Sequence, residues 1–471
     1  MQAWDVRALG APRLPVGVCP VRADRLVAVR CSRRHPTVAP CSCERPPTCA
    51  LRRRWFRGLA AAQHLAHVPV DVTLVDRHDY HTFHPLLYQV ASSLLNAEDV
   101  GRPLRAMFHH QRNITIREAT VTDIDWQAHR ALLDQGDSLP FDYLVLAAGA
   151  VVNFFGTPGA QDHAVPLYTL PDAMRLRNQI LGRFEATERD PALLAEGALT
   201  FVVVGAGPTG VETAGALVDM LHNVLAKDYP DLALNQARVI LVERGPVVLP
   251  AYGERLRAYA AKTLQERGVD LRLGPAITEV SGARARLSTG EELPARTVIW
   301  AGGLRANPLA ATLSAAQGHA GRVAVGSDLS VKGHPNVFVI GDMAQISDDG
   351  KSLPQLAQPA IQAGKHVAHQ ITRRLLGEPG APFHYINPGT MATIGRGAAV
   401  CEFPNGLALD GSVAWLAWLG VHLVELGGMR DQLDVLTSWG WAFLTNERAA
   451  RIIIDPHEIG ASSATSTASG H

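Results

Sequence analysis

The fold of this chain is decided by residues 199–215, LTFVVVGAGPTGVETAG. Residues 201–204 are mostly β-branched and predict a buried parallel strand, which leads directly into GAGPTG and a helix of small residues. Gly205 permits a tight turn, Gly207 lets a pyrophosphate approach the backbone, and Gly210 lets the helix pack close to the strand. Because a helix N-terminus also offers amide donors to phosphates, this stretch predicts a dinucleotide-binding unit. The alternative is a glycine-rich turn that binds nothing.

The next predicted strand, residues 239–243, ends in an acid, Glu243. Glu243 lies 33 residues after Gly210, and residues 228–238 account for the excess over the usual spacing of about 20. A carboxylate at this point accepts from both ribose hydroxyls and repels a 2′-phosphate, which favours NADH over NADPH. Arg244 follows directly and leaves that preference open.

An earlier stretch looks like half of a second unit. Residues 70–76, VDVTLVD, predict a strand that ends in Asp76, and a helical pattern begins at Gly58, 18 residues before that acid. Aligning Gly58 with the last glycine of a fingerprint puts Arg53 and Trp55 where the first two glycines belong. Residues 49–53 also make no buried first strand, so the phosphate loop of this unit is missing from the sequence.

The composition of the first residues is unlike that of the rest. Five of the six cysteines lie within residues 1–49, and residues 1–57 hold twelve arginines against three acids. The cysteine spacing there lacks a fourth zinc ligand, so we expect no metal site. No apolar core of a secretory signal is present, and the prolines and cysteines fit a transit peptide poorly. We hypothesise that residues 1–55 are an out-of-frame or misassembled translation, non-native or disordered; the rival is a real protein with a degenerate loop and weakened cofactor binding.

Three further stretches predict strands that end in small residues: 141–149, 297–303 and 336–342, the last closing on Gly341 and Asp342. Small residues allow a flat cofactor to lie against the backbone, and an acid after Gly341 suits a sugar hydroxyl. Each stretch taken alone predicts only a buried strand. Their order along the chain is more informative.

That order resembles the flavoproteins with two dinucleotide-binding domains, and among them the type II NADH dehydrogenases, the single-subunit NADH:quinone oxidoreductases. The resemblance extends from about residue 56 to residue 454. Its specific motifs are YHTFHPLLYQVA at 80–91, LPQLAQPAIQ at 353–362, GTMATIG at 389–395 and WLAWLGVHL at 415–423.

The resemblance implies non-covalent FAD, NADH as substrate, and electron transfer from NADH through the flavin to a membrane quinone without proton pumping. It implies that Glu212, Gln358 and Gln362 are catalytic, with Glu212 near the nicotinamide. It further implies FAD contacts from Gly58, Asp76, Arg77, Pro85, Leu86, Ala148, Gly149, Asp342 and Ala357. NADH would be held by Gly205, Gly207, Gly210, Glu243 and Gly302.

Charge and cysteine content exclude neighbouring classes of protein. Lys and Arg total 44 and Asp and Glu total 44, so the chain lacks the basic field that nucleic-acid binding needs. Disulfide reductases and sulfide:quinone reductases need paired or reactive cysteines beside the flavin, whereas Cys401 alone follows residue 49. Sparse cysteine in the body of the chain also fits a reducing, cytoplasmic location.

The C-terminal part predicts contact with a membrane surface. Residues 413–424 are apolar except for His422, and a helix needs about 20 residues to span a bilayer. Residues 435–444 add a second apolar helix, with Arg448 and Arg451 after it to meet anionic lipid. The alternatives are a core helical hairpin or a dimer contact. The predicted membrane residues are Trp415, Trp418, Trp439 and Trp441.

We therefore predict an α/β fold with two Rossmann-like domains, a FAD domain split by an inserted NADH domain, and an amphipathic, membrane-facing C-terminal region. The predicted ranges are 56–168 and 304–390 for FAD, 169–303 for NADH, 391–460 for the membrane region and 461–471 for a disordered tail. The expected location is the cytoplasmic face of the cell membrane, as a peripheral protein and a possible homodimer. The alternatives are an inactive or weakly FAD-binding remnant and a soluble NADH:acceptor reductase.

Overall fold

The computed structural model of the chain describes residues 25–31, 58–448 and 450–453. Two large sheets organise this part of the chain, one of six strands and one of five. The α/β architecture predicted from the sequence is confirmed. The predicted tail, 461–471, and the remainder of residues 1–55 lie outside the described residues.

The first part of the chain supplies most of the six-stranded sheet. Its strands are β1 Arg25–Cys31, β2 Val70–Asp76, β3 Tyr80–Thr82, β4 Gly101–Pro103, β5 Ile114–Glu118, β6 Val121–Asp125, β7 Arg130–Leu133, β8 Ser138–Pro140, β9 Tyr143–Leu146 and β10 Ala150–Val152. Its helices are α1 Gly58–Leu65, α2 Leu87–Ala91, α3 Ala97–Val100 and α4 Leu104–Phe108.

The middle part builds the five-stranded sheet. Its helices are α5 Ala160–His163, α6 Leu170–Arg189, α7 Pro208–Met220, α8 Ala226–Asp228 and α9 Glu254–Glu266. Its strands are β11 Ala164–Pro166, β12 Thr200–Val204, β13 Arg238–Glu243, β14 Val269–Leu273, β15 Ile277–Val280, β16 Arg284–Leu287, β17 Glu292–Pro294 and β18 Thr297–Trp300.

The last part returns to the six-stranded sheet and then forms a C-terminal unit. Its strands are β19 Leu304–Ala306, β20 Val323–Ala324, β21 Ser330–Val331, β22 His334–Val339, β23 Ala344–Gln345, β24 Ser347–Asp348, β25 Lys351–Ser352, β26 Thr390–Gly395, β27 Ala398–Glu402 and β28 Ala408–Asp410. Its helices are α10 Leu309–Thr312, α11 Ala357–Leu375, α12 Gly411–Leu426 and α13 Met429–Thr445.

The five-stranded sheet has the order β11-β18-β12-β13-β14, and every neighbouring pair is parallel. Phe201, Val202 and Val203 of β12 are fully buried, as expected for a strand covered on both faces. The strand at 201–204 and the helix after the glycine loop are therefore confirmed. β11, at 164–166, belongs to this sheet although those residues precede the predicted boundary at 169.

The six-stranded sheet has the order β21-β22-β9-β1-β2-β5. Its parallel pairs are β2 with β5 and β22 with β9, whereas β1 runs antiparallel to both of its neighbours. Within the stretch 1–55 hypothesised to be non-native or disordered, residues 25–31 form an ordered strand, β1. The apolar run from Leu26 to Val29 is buried between β2 and β9, where it pairs the backbone groups of two strands that would otherwise face a gap.

The C-terminal unit is a three-stranded sheet, β26-β27-β28, followed by a hairpin of α12 and α13. Trp418 and Trp439 are buried and Trp415 is half-buried, whereas Trp441 is exposed. The prediction that all four tryptophans face a membrane is therefore wrong for Trp418 and Trp439, which pack inside this unit. In the described part of the chain, no helix combines the length and the apolar character needed to cross a bilayer.

Candidate active site

The glycine loop between β12 and α7 has the geometry that a pyrophosphate requires. Gly205 has φ of +98°, a conformation that L side chains rarely adopt. A Cβ on Gly210 would lie 1.8 Å from the carbonyl oxygen of Gly205, so only glycine lets the helix pack this closely. A Cβ on Gly207 would meet nothing within 4 Å, which leaves open space at the helix N-terminus. The loop therefore has both the tight turn and the room for phosphates.

Glu243, at the end of β13, is bonded to the same loop. Its Oε2 accepts from the amide of Ala206 at 2.8 Å and its Oε1 accepts from the amide of Gly245 at 2.7 Å. Gly302 lies across the loop, since a Cβ on Gly205 would lie 2.8 Å from its Cα. The structure thus brings together all five residues predicted to hold NADH: Gly205, Gly207, Gly210, Glu243 and Gly302.

The carboxyl ends of β9 and β22 form a second small-residue site. Asn307 fixes the turn after β9 with two hydrogen bonds. Its side-chain Nδ2 donates to the carbonyl of Ala148 at 3.3 Å, and its backbone amide donates to the carbonyl of Gly149 at 3.1 Å. Gly149 and Gly341 have φ of +72° and +68°. Asp342 follows Gly341 and is buried, with its Oδ2 accepting from the Tyr168 hydroxyl at 3.2 Å.

Helix α11 begins at this second site. Ala357 is its first residue, and Leu356 before it makes no capping hydrogen bond, so the amides of Ala357 and Gln358 offer donors to an anionic group. Gln358 donates from Nε2 to Oε1 of Glu425 on α12 at 2.8 Å. Both ends of the Gln362 amide bond the main chain of Ile386, at 2.8 and 2.9 Å. Gln362 thus holds a loop in this structure, and its catalytic role stays a prediction.

Asp76 lies at the end of β2, as the sequence predicts, but it is already engaged. Its Oδ2 pairs with Nε of Arg25 from β1, and its Oδ1 accepts from the amide of His78 at 3.0 Å. Nε of Arg77 donates a hydrogen bond to Nε2 of His78 at 3.0 Å. The other FAD residues in this region are Gly58 at the start of α1, Pro85 in the short helix after β3, and Leu86, whose side chain is fully buried.

Glu212, on α7, lies at the junction of the three parts of the chain. Its Oε1 accepts from the amide of Thr393 on β26 at 3.3 Å. The Thr393 hydroxyl is 3.1 Å from the hydroxyl of Tyr88, which accepts from Nε2 of Gln89 at 2.9 Å. Gln89 Oε1 in turn accepts from the indole of Trp439 at 2.7 Å. A continuous buried chain of hydrogen bonds therefore joins Glu212 to α13.

Burial controls the protonation of this junction. Burial raises the pKa of the Glu212 carboxyl to about 8, although the Thr393 amide and Trp418 partly oppose the shift. Burial also raises the pKa of the Tyr88 hydroxyl, and it lowers the pKa of His422 to about 4. At neutral pH Glu212 is therefore mostly a neutral, proton-holding acid.

An apolar cavity of about 620 Å³ adjoins the junction, between α7, α12 and α13. Its volume lies in the range of small-molecule sites. Polar groups line one wall, while indoles and leucines line most of the rest. The lining residues that matter below are Tyr88, Gln89, Thr393, Trp418, Trp439 and Arg448.

Sequence reasoning missed Tyr88, Gln89 and Thr393 as site residues, although all three lie in the motif stretches 80–91 and 389–395. Their positions in two separate motifs were the available signal. Arg25 had no such signal. Among the described residues, no group of His, Cys, Asp and Glu could hold a metal, and the two cysteines, Cys31 and Cys401, are unpaired thiols.

The fold and the site define a class of protein. The family model described as pyridine nucleotide-disulphide oxidoreductase matches residues 57–364. A solved structure of NDH2 from Plasmodium falciparum in complex with NADH has the same fold, with a TM-score of 0.75 at 19% identity, and the match covers 84% of this chain and 97% of that one. This is the fold of a pyridine-nucleotide oxidoreductase with two nucleotide-binding sheets.

Sequence relatives narrow the class. The chain is 38% identical over 416 residues to a type II NADH:quinone oxidoreductase of Mycobacterium tuberculosis. This alignment covers 85% of this chain and 89% of that protein. It is 32% identical over 359 residues to a type II NADH:quinone oxidoreductase of Staphylococcus aureus, which covers 73% and 84%. The chain belongs to the type II NADH:quinone oxidoreductase family.

FAD and NADH are the nucleotides of this family. The isoalloxazine end of FAD fits the second site, where Gly149 and Gly341 keep the backbone bare and the uncapped N-terminus of α11 faces the strand ends. The adenosine end does not fit the structure as it stands. Asp76 is buried and paired with Arg25, and the sequence before Gly58 lacks the glycines of a phosphate loop.

Proposed function

We propose that this chain oxidises NADH and reduces a quinone in two half-reactions at one bound FAD, as a peripheral enzyme at the cytoplasmic face of the cell membrane. The observation that supports this most directly is the intact glycine loop, braced by Glu243 and followed by α7, which carries the buried Glu212. FAD, when bound, accepts hydride from NADH and passes two electrons on. The remaining steps depend on side chains of this chain.

The glycine loop binds and orients the NADH pyrophosphate. Gly207 leaves space for the phosphates, and the first turn of α7 offers its amides and dipole to their charge. Glu243 keeps a carboxylate beside the ribose position, where it disfavours a 2′-phosphate. These contacts direct the nicotinamide toward Glu212, one turn into α7.

Glu212 supplies a proton. Reduction of a quinone to a quinol consumes two electrons and two protons, and NADH delivers two electrons with one proton as hydride. The second proton must come from an acid. With a pKa raised to about 8 by burial, the Glu212 carboxyl holds a proton at neutral pH and can release it near pH 8. Its proton is replaced from solvent after each turnover.

The apolar cavity is the proposed quinone site. It is large enough for a quinone ring with the first part of an isoprenoid tail, and its lining is mainly indole and leucine side chains. Nε2 of Gln89 donates one hydrogen to the Tyr88 hydroxyl and has a second hydrogen that can orient a quinone oxygen. Gln358, bonded to Glu425, connects the flavin site on α11 with the helix that forms the cavity wall.

An exposed apolar face on the α12–α13 hairpin is the proposed membrane contact. It extends the cavity wall outward and includes the aromatic side chain of Trp441. Arg430 on α13 is exposed and pairs with Asp434 at 3.6 Å. Arg448, expected from the sequence to meet anionic lipid, is instead buried and donates to the carbonyl of Ser92. The face consists of Val413, Leu416, Val424, Leu433, Leu436, Trp441, Phe443 and Leu444. For the domains we propose a FAD part of 56–168 with 304–390, an NADH part of 169–303, and a membrane region of 391–460.

The activity is tested with the purified full chain, FAD, NADH and a short-chain quinone, by following the loss of NADH absorbance. We expect quinone-dependent oxidation that declines as the pH rises through about 8, because the donor must be protonated. Glu212→Gln should lose most of the turnover and flatten this decline, while Glu266→Gln, an exposed change on α9, should keep both. Oxidation that never depends on quinone would contradict the proposal.

The membrane contact is tested by sedimentation with anionic liposomes. Leu444→Asp, on the apolar face, should weaken binding at least about tenfold, since one exposed leucine contributes about 1.5–3 kcal/mol when it enters lipid and each 1.4 kcal/mol is about a factor of ten. Leu376→Asp, at an exposed leucine after α11, should bind like the wild type. If a homodimer buries the same face instead, the wild-type protein should have twice the monomer mass in the absence of lipid. Leu444→Asp should then return the mass to that of the monomer.

A further inference from the structure

Arg25 occupies an unusual place in the six-stranded sheet because β1 runs antiparallel to its neighbours. The register pairs Arg25 with Asp76 and Cys31 with Val70. The amide of Ala147, just after β9, donates to the carbonyl of Arg25 at 3.2 Å. The first residue of β1 therefore lies at the edge where β2 and β9 end, which is the nucleotide-binding edge of a parallel sheet.

At that edge, Arg25 and Asp76 form a buried ion pair. The Arg25 side chain is 13% exposed and the Asp76 side chain 3% exposed. Nε of Arg25 donates to Oδ2 of Asp76, and its Nη1 lies 3.1 Å from Nδ1 of His81. A guanidinium held on both sides in this way is a firmly placed cation.

Asp76 has little acceptor capacity left for a ligand. Oδ1 accepts from the amide of His78 and Oδ2 accepts from Arg25. Because the residue is 2% exposed, a ribose hydroxyl cannot reach either oxygen in this conformation. A ligand that needs this carboxylate has to displace Arg25.

We propose that Arg25 closes the adenosine-ribose site of FAD, so that the adenosine half of the cofactor and the Arg25–Asp76 ion pair exclude each other. The inference rests on the proposed use of FAD and concerns its binding alone. The isoalloxazine half binds at α11 whether or not Arg25 has moved. By linkage, whatever frees Arg25 from Asp76 tightens FAD, and FAD loosens the start of β1 by the same factor.

FMN provides the matched probe, because it has the same ring system as FAD and lacks the adenosine half. The full-length apoprotein is titrated with each flavin, and the quenching of flavin fluorescence gives the two dissociation constants. Arg25→Ala and Arg25→Gln should bind FAD about tenfold more tightly, the change expected when a ligand hydroxyl gains a bond to a carboxylate. Binding of FMN should not change.

Arg30→Ala is the control, because Arg30 is exposed and lies on the same strand away from Asp76. It should bind both flavins like the wild type. The proposal is overturned if the Arg25 variants bind FAD no more tightly than the wild type, or if they tighten FMN equally.

A second measurement needs no variant and so does not depend on how well Arg25→Ala folds. Hydrogen exchange of the β1 amides in the wild type is compared with FAD, with FMN and without flavin. FAD should speed exchange at residues 25–28, and FMN should not. Tight FAD binding with unchanged exchange would overturn the proposal. Neither measurement uses NADH or quinone. Failure of the proposed NADH:quinone activity would therefore be distinguishable from failure of the proposed role of Arg25 in FAD binding.

Discussion

In the five-stranded sheet, β12 runs parallel to both neighbours and ends in the glycine loop; in the six-stranded sheet, β1 fills the corresponding central place but runs antiparallel. Both arrangements satisfy the backbone hydrogen bonds of the adjacent strands and bury an apolar run. Only the parallel arrangement delivers a loop to the nucleotide-binding edge. Pairing and burial can therefore complete a sheet without completing its ligand site.

The two strand-end carboxylates show the same difference. Glu243 accepts from the amides of Ala206 and Gly245, so it braces the loop proposed to bind NADH. Asp76 is bonded by Arg25, a side chain that reaches the edge because β1 is reversed. One acid braces the loop proposed to bind NADH, and the other is paired with an arginine.

The largest expected effect concerns the place of β1 in the sheet. Val27 is fully buried, so Val27→Asp places an unpaired charge in the core and should lower the free energy of unfolding by more than about 4 kcal/mol. Urea unfolding followed by circular dichroism measures the loss. Hydrogen exchange should accelerate in β2 and β9 before it does so in β12 and β13.

Arg30→Ser is the control for this change, because it alters an exposed residue of the same strand and should stay within about 0.5 kcal/mol of the wild type. If Val27→Asp were equally mild, β1 would not be a core strand, and the comparison between the two sheets would collapse.

The next effect separates packing from binding within the intact loop. Gly210→Ala would place a methyl group 1.8 Å from the Gly205 oxygen and should cost about 1–3 kcal/mol of stability, together with most NADH affinity. Gly207→Ala meets nothing within 4 Å, so stability should be unchanged while NADH affinity falls. Urea unfolding and NADH titration together decide. Equal stability losses in the two variants would contradict the packing argument.

Most of the five-stranded sheet could be predicted from sequence, because a β-branched run, three glycines and a terminal acid all indicate the same structure at 201–243. β1 could not be predicted, because the run of four apolar residues between Arg25 and Arg30 is too short to show the period of a strand or a helix. The direction of a strand in its sheet is also not encoded in its local sequence. Its position is explained by tertiary structure alone, since β1 forms the backbone hydrogen bonds that β2 and β9 need on their facing edges. The burial of Trp418 was also out of reach, because α12 is apolar on almost all sides and such a helix does not indicate which face is buried.

The candidate site divides in the same way. Of the residues predicted to hold NADH, Gly205, Gly207 and Gly210 share one local motif, whereas Glu243 and Gly302 follow two other strands. Glu212 was predicted only through resemblance, and the residues hydrogen-bonded around it, Tyr88, Gln89 and Thr393, come from chain segments far apart in sequence. Contacts of that kind depend on how the C-terminal unit packs against α7. Gly215 shows how close this packing is, since a Cβ there would lie 2.3 Å from the carbonyl oxygen of Ile394.

The smallest expected effect tests the role of Glu243 as the acid that distinguishes NADH from NADPH. Glu243→Gln removes the negative charge from the ribose position, so the ratio of NADPH to NADH affinity should rise about tenfold, equivalent to about 1.4 kcal/mol. The ratio is the right quantity, because a glutamine also weakens the bond to Ala206 or Gly245 and so lowers both affinities. Asp270→Asn, which alters a carboxylate on the neighbouring β14 that pairs with Arg238, should leave the ratio unchanged. If Glu243→Gln also leaves this ratio unchanged, the only role of Glu243 is to brace the loop. Glu243 and Asp76 would then differ in their hydrogen-bond partners, but neither would accept from a ribose hydroxyl.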